Sequence, residues 1–167
     1  MRWLEEGVVR EIVMAIKARG LDGIGSTEHE YPSYGFQLQE MVEKLFPGEV
    51  IIVPGQEVSA WPVEIVELYL PGEKTFRFLA HPGYPPTDFT RALDGVQGIE
   101  VANGLHNYQM DQEKIRAVAQ ERGLLLLTNS DAHGLQYLGE FYNEIDLEEL
   151  ARRAVPSTPK RRRVGRV

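Results

Sequence analysis

The sequence contains no cysteine among its 167 residues. Disulfides, thiolate zinc sites and a cysteine nucleophile are therefore excluded, and this composition suits a reducing cytoplasm. No apolar run approaches the ~20 residues that cross a bilayer, and the N-terminus lacks the apolar core of a signal peptide. We expect a cytoplasmic protein that is neither exported nor inserted into a membrane.

Positive charge is scarce except at the C-terminus. Residues 152–167 hold seven basic and no acidic residues, whereas residues 1–151 hold 11 basic and 25 acidic residues. An acidic body repels nucleic-acid phosphates, so a nucleic-acid partner is not expected unless the basic tail alone binds it. With 43% hydrophobic residues the chain can bury a core. We predict one domain over residues 1–155 and a basic tail over residues 156–167.

Apolar periodicity predicts alternating helices and strands. The predicted helices cover residues 3–19, 34–46, 88–94 and a segment that ends at 122. The predicted strands cover residues 21–29, 50–58, 63–70, 75–81, 98–104 and 124–128. Alternation of this kind favours an α/β fold with a parallel sheet, closed as a barrel. The strands at 63–70 and 75–81 are close enough in sequence to form a hairpin instead.

Two parts of the chain repeat the same order of helix, glycine, strand, acid and imidazole. Gly20 and Gly123 each end a predicted helix, as left-handed glycines commonly do. Eight residues after each glycine stands an acid, Glu28 or Asp131, and a histidine follows within two positions. The repeat indicates that both strands end at equivalent places in the fold.

All four histidines lie at or just after the end of a predicted strand, and three acids share that position. They are His29, His81, His106 and His133, with Glu28, Glu57 and Asp131. In a barrel of parallel strands these ends meet on one face, where active sites form. Nitrogen and oxygen ligands without sulfur suit zinc, manganese or iron(II).

Each of these residues also has a simpler interpretation. A single histidine after a strand is more often a hydrogen-bonded loop residue than a ligand. Glu57 is more informative, because a carboxylate between apolar residues needs a metal or another cation to offset its desolvation. Asn103 either contacts a ligand or, more commonly for asparagine, bonds to the local backbone at a strand end.

Five strings, GLDGIGSTEH, IIVPGQEVSA, FLAHPGYP, GIEVANGLH and LLLLTNSDAHG, resemble successive motifs of the PHP (polymerase and histidinol phosphatase) domain family. The resemblance runs from about residue 10 to residue 145. It implies a distorted (β/α)7 TIM-like barrel with a metal cluster, often trinuclear, at the C-terminal ends of the strands. Members of this kind hydrolyse phosphate esters.

The resemblance also implies ligand sets. Glu57, His81 and His106 match the ligands of one metal, and Asp131 with Glu57 matches half of a second site. The other half would come from an N-terminal His-x-His strand that the sequence lacks, so we expect a barrel incomplete at its first strand. His29 and His133 match a third site without its N-terminal ligand. Glu28 stands where the family commonly has aspartate.

These observations predict a metal-dependent phosphoesterase that acts on a small phosphorylated substrate with a divalent ion, zinc before manganese or iron. Glu57, His81 and His106 would hold the metal, while Asp131, His133 and His29 would orient the attacking water or the phosphate. The alternative is a catalytically inactive PHP-like module that binds nucleic acid or protein. Retention of so many ligand-type residues favours the enzyme.

The absent strand raises two further expectations. A barrel without one strand exposes unpaired backbone groups on its neighbours, and a homodimer would cover that open edge. Alternatively, Met1 is an internal start and the missing strand lies upstream.

Overall fold

A computed structural model describes residues 4–157, so most of the predicted basic tail lies outside the described residues. The four α-helices are α1 (Glu6–Ala18), α2 (Ser33–Leu45), α3 (Gln112–Arg122) and α4 (Leu147–Arg153). The seven strands are β1 (Gly23–His29), β2 (Ile51–Ala60), β3 (Val63–Leu70), β4 (Lys74–Ala80), β5 (Gly98–Asn103), β6 (Leu125–Asn129) and β7 (Val155–Pro156).

The helix signals in the sequence act as predicted, with small shifts at the ends. The apolar face of α1 is buried, and Gly20 follows the helix with a φ of +67°. Gly123 ends α3 in the left-handed conformation, and at the start of α3 the Asp111 carboxylate accepts a hydrogen bond from the Lys114 N–H. The predicted helix over residues 88–94 is only a 3₁₀ turn at Phe89–Ala92; the Asp88 carboxylate accepts a hydrogen bond from the Thr90 N–H at its start, and Gly95 follows it with a φ of +77°.

The sheet runs in the order β1-β2-β3-β4-β5-β6, and β7 pairs with β4. β1 is parallel to β2, and β4, β5 and β6 are parallel to one another. The expectation of an all-parallel sheet is wrong at its centre, where β2, β3 and β4 are consecutive antiparallel partners. The links at Trp61-Pro62 and Pro71–Glu73 are too short for a parallel crossover, so the hairpin interpretation of residues 63–81 is confirmed.

The sheet curls into a half-barrel rather than a closed (β/α)7 ring. Side chains from β2, β3, β4 and β6 meet on its inner face around Phe76 and Phe78, and Leu150 of α4 packs against them. Helices α1 and α2 cover the outer face of β1 and β2, and α3 covers β5. Within residues 4–157, β1 and β6 end the ladder and do not pair with each other. The mixed α/β half-barrel is consistent with a PHP-like distorted barrel.

Helix length also bears on the membrane expectation. Among residues 4–157, no helix combines the length and the apolar character that crossing a bilayer requires.

Candidate metal centre

A cavity of about 260 Å³ opens where β1, β4, β5 and β6 end. Its lining consists of His29, Glu57, Glu64, His81, Tyr84, Leu105, His106, Asp131 and His133. All six residues that the sequence predicts as metal ligands therefore line one cavity. Strands separated by a hundred residues deliver them because their C-terminal ends lie at the same edge of the sheet.

His81 is the most deeply placed imidazole of the cavity. It follows β4 directly, and its side chain is 4% exposed. Its Nε2 lies 3.1 Å from Glu57 Oε1 and 3.2 Å from Glu64 Oε2, while its Nδ1 lies 3.2 Å from the Tyr84 carbonyl oxygen. The carbonyl and the carboxylates can only accept, so the protonated imidazole donates from both ring nitrogens, Nδ1–H to the carbonyl and Nε2–H to Glu57. Loss of the Nε2 proton would free that nitrogen to bind a metal.

Burial and the neighbouring carboxylates shift the pKa of His81 in opposite directions. Burial lowers the pKa of His81, but the hydrogen bond to Glu57 and the carboxylates nearby outweigh burial and raise that pKa to about 9. Burial raises the pKa of Glu57, yet the His81 contact prevails and leaves it below the usual value. The pKa of Glu64 is raised, first by burial and then by the neighbouring Glu57 carboxylate. The chain therefore holds a proton where a metal cation would otherwise neutralise the carboxylates.

A second imidazole lies beside the first. The rings of His81 and His106 are 4.8 Å apart, and the ring of Tyr84 stacks on His106 at 4.1 Å with an interplanar angle of 15°. His106 Nδ1 lies 3.2 Å from Gln109 Oε1. An acceptor on Nδ1 again leaves Nε2 free to act as a donor atom for a metal.

The Asp131 carboxylate completes this group. Its Oδ2 accepts a hydrogen bond from Asn103 Nδ2 at 3.3 Å. Asp131 and His81 both have positive φ values, +49° and +27°, which L-residues rarely adopt. Backbone strain of this kind concentrates at functional sites, where the surrounding structure holds a side chain in a required position.

Glu100 supports the cavity from below. It is 3% exposed, and its carboxylate accepts hydrogen bonds from the His81 N–H (2.6 Å), Asn103 Nδ2 (3.0 Å) and Asn129 Nδ2 (2.6 Å). Burial raises the pKa of Glu100, against the hydrogen bonds that lower it. One carboxylate thus ties together the ends of β4, β5 and β6.

The remaining predicted site residues differ in where they lie relative to the cavity. The Asn103 Oδ1 accepts hydrogen bonds from the N–H groups of Leu105 and His106, which is the local backbone role, and the side chain is buried. His133 is exposed at the rim, with Nδ1 3.0 Å from the Asp131 carbonyl oxygen. Glu28 does not line the cavity, and its charge acts instead on Tyr34, whose pKa it raises together with burial.

Sequence reasoning missed Glu64, Tyr84, Glu100 and Gln109. Glu64 follows no motif, but the hairpin interpretation contained its signal, because antiparallel pairing sets Glu64 opposite Ala80, one residue before His81. Glu100 stands inside GIEVANG, where a charged residue between buried apolar ones signals a satisfied buried carboxylate. Tyr84 and Gln109 contact His106 from the segments that follow β4 and β5, and apolar periodicity does not predict the conformation of such segments.

The donor atoms form two groups that suit cations. One consists of His81, His106 and Asp131, and the other of His29, Glu57 and Glu64; within each, the ligand atoms lie within 4.8 Å of one another. Imidazole and carboxylate donors are the set that zinc, manganese and iron(II) accept, so the chemistry of the residues fits such a metal. The grouping differs from the predicted set of Glu57, His81 and His106.

Comparison with known proteins bears on the family and the fold. A family model described as PHP-associated matches residues 109–154. A solved structure of a candidate metal-dependent phosphoesterase from Bifidobacterium adolescentis has a TM-score of 0.69 and 15% sequence identity, covering 88% of this chain and 91% of that chain. No curated protein sequence matches the chain. The resemblance to the PHP family is confirmed, and the structural likeness shows a shared fold.

Proposed function

We propose that the chain is a metal-dependent hydrolase of PHP type that cleaves small phosphate esters. The observation that carries the proposal is the convergence of four imidazoles and three carboxylates on one cavity at the strand ends. The PHP-associated match and the likeness to a candidate metal-dependent phosphoesterase support the same class.

The charge of the cavity supports a metal requirement. Glu57, Glu64 and Asp131 line it, and among the described residues no lysine or arginine does. A phosphate dianion would meet repulsion from these carboxylates unless a cation stood between them. The proposed phosphate site therefore requires a cation in the same cavity.

Residues at different positions in the cavity would have different roles in the reaction. His81, His106 and Asp131 would hold one divalent ion, for which zinc, manganese and iron(II) are the candidates. Such an ion lowers the pKa of water and polarises a phosphoryl oxygen. Asp131 accepts a proton or a hydrogen bond from the attacking water, since its carboxylate faces the cavity.

The exposed imidazoles face the substrate side. His29 and His133 have side chains 63% and 65% exposed, so they can contact a phosphate or its leaving group without a large desolvation cost. The Asp131 carbonyl oxygen holds the His133 ring through Nδ1. A cavity of about 260 Å³ takes a phosphate and its nearest atoms, while the rest of the ester lies outside, against Tyr84 and Leu105.

The first experiment measures metal content and phosphatase activity together. We expect the purified chain to contain stoichiometric divalent metal by elemental analysis and to hydrolyse p-nitrophenyl phosphate, with activity lost in EDTA and restored by Mn²⁺ or Zn²⁺. His106→Ala and Asp131→Asn should each reduce kcat/KM by at least about 100-fold and lower metal occupancy, because both are proposed ligands of the ion and ligands matter at least as much as the residues that orient them.

Glu43→Gln is the matched control, because Glu43 is an exposed carboxylate of α2 outside the cavity. This variant should keep both metal and activity. A chain that binds no divalent metal under any of these conditions would contradict the proposed function.

A further inference from the structure

Glu64 is the one carboxylate of the cavity that no sequence motif marks. The residue lies on β3, the central antiparallel strand, and pairs with Ser59 of β2 on one side and Ala80 of β4 on the other. In antiparallel sheets, residues that pair directly point to the same face. This register puts Glu64 on the same face as Glu57, which lies two residues before Ser59. His81 lies just past β4 with a φ of +27°, and its Nε2 approaches Glu64.

The distances around Glu64 define a compact donor set. Its Oε2 lies 3.2 Å from His81 Nε2, and the ligand atoms of Glu64, Glu57 and His29 lie within 4.8 Å of one another. Glu57 in turn lies 3.6 Å from His29 Nε2 through its other oxygen. Glu57 thus presents Oε1 to His81 and Oε2 to His29, the arrangement of a carboxylate that serves two neighbouring positions.

The charge at this place lacks a permanent counterion. Glu57 and Glu64 have side chains 13% and 28% exposed, so solvent screens them only in part. Two carboxylates this close repel each other unless a proton or a cation lies between them. Among the described residues lining the cavity, the only groups that can become cationic are histidines.

We propose that Glu64 is a metal ligand, and that with His29 and Glu57 it holds a second divalent cation next to the one held by His81, His106 and Asp131. This inference rests on the proposed metal-dependent function and adds a ligand to it. It assigns Glu57 to the cation of Glu64, in place of the set with His81 and His106 that the family resemblance implies. It also makes His29 a ligand of that cation, which leaves His133 as the exposed imidazole on the substrate side.

The test titrates metal-free protein with MnCl₂ alone, by calorimetry and by electron paramagnetic resonance. We expect the wild-type chain to take up two Mn²⁺ ions and to show a spin-coupled spectrum. Glu64→Gln keeps the shape of the side chain but removes its charge. This variant should bind one Mn²⁺ with a single-ion spectrum, its second affinity being weaker by at least about tenfold.

Two further variants make the result specific. Glu64→Asp retains a carboxylate and should recover part of the second binding event, whereas Glu43→Gln should match wild type. Thermal unfolding of each metal-free variant shows whether the chain is folded. If Glu64→Gln is unfolded, the same titration of Glu64→Asp decides, because a shortened ligand should weaken only the second event.

The outcomes separate the two proposals. Wild-type protein that binds no Mn²⁺ overturns the proposed function and this inference together. Wild-type protein that binds Mn²⁺ with the same stoichiometry and spectrum as Glu64→Gln overturns only the role of Glu64. A change in the pH profile of hydrolysis without a change in Mn²⁺ binding also overturns it, since Glu64 would then be a proton carrier.

Discussion

The two faces of strands β2, β3 and β4 carry polar clusters of opposite character. The inner cluster consists of Glu57, Glu64 and His81, with His29 of β1 beside them. The outer cluster consists of Gln56, Glu67, Tyr69 and Arg77. Successive side chains of a strand point to opposite faces, so adjacent residues of β2 supply both clusters. Gln56 pairs with Glu67, whereas Glu57 pairs with Val66.

The outer cluster neutralises its own carboxylate. Arg77 Nε donates to Glu67 Oε1 at 2.8 Å, and Gln56 Nε2 and the Tyr69 hydroxyl both donate to Glu67 Oε2 at 2.9 Å. Burial raises the pKa of Glu67, but these donors prevail and hold it below the usual value. In the inner cluster, by contrast, no arginine or lysine of the described chain lines the cavity beside the carboxylates. The outer cluster is thus neutralised from within the chain, whereas the inner cluster has the charge that the proposed metal centre requires.

The largest expected effect concerns Glu100, the carboxylate beneath the inner cluster. Glu100→Ala removes the acceptor of the His81 N–H and of the Asn129 amide, and one of the two acceptors of the Asn103 amide. Unsatisfied buried donors are costly, so we expect the free energy of unfolding to fall by about 3–5 kcal/mol. Urea denaturation followed by circular dichroism measures it.

Glu100→Gln serves as the matched control, because it keeps one acceptor oxygen and should cost less than the alanine variant. If Glu100→Ala destabilised the chain by no more than a change in the outer cluster, the two faces would not differ as described.

The next effect is a dependence of stability on pH in the metal-free chain. The pKa of His81 is about 9 when folded, above its ordinary value of 6.5. A group with a raised folded pKa stabilises the protein fully below the unfolded pKa and loses this contribution as pH rises through the folded pKa. After a discount for solvent screening, we expect a loss of ~1–2 kcal/mol between pH 6.5 and 9 in EDTA.

Thermal unfolding at a series of pH values measures this loss, and His81→Asn should abolish it. The outer cluster contributes nothing in that window, because the pKa of Glu67 is lowered and its contribution is lost only in acid. Mn²⁺ should reverse the trend, since protons compete with metal for His81 and metal affinity therefore rises with pH. A flat profile in EDTA would mean that His81 carries no stabilising proton.

Local signals in the sequence were sufficient for most elements and for the meeting of the four histidines at one cavity. Gly20 and Gly123 end helices in the predicted conformation, because few other residues tolerate a positive φ there. The histidines meet because each follows a strand, and strand ends share an edge. These predictions depend only on residues that are close in sequence, so they can be made without knowing how the strands pair.

The remaining features depend on how strands pair, which periodicity does not encode. An apolar pattern of period two fits parallel and antiparallel neighbours alike. The direction of β3 therefore had to be inferred from the short links at either end, and with it the arrival of Glu64 beside His81. The pairing of β3 with β2 brings Glu57 and Glu64 into one group of possible ligands. The sequence does not predict this pairing, and so it does not predict the group.

The smallest expected effect tests the outer cluster by itself. Arg77→Met removes the cation from Glu67 but leaves the donors of Gln56 and Tyr69, so we expect the free energy of unfolding to fall by only about 1 kcal/mol. Arg77→Lys, which keeps the charge, should cost less. Urea denaturation measures both, and Mn²⁺ titration should give the wild-type stoichiometry for each. A change in Mn²⁺ binding on Arg77→Met would show that the two faces of the sheet are coupled, because the substituted side chain and the cavity lie on opposite sides of β4.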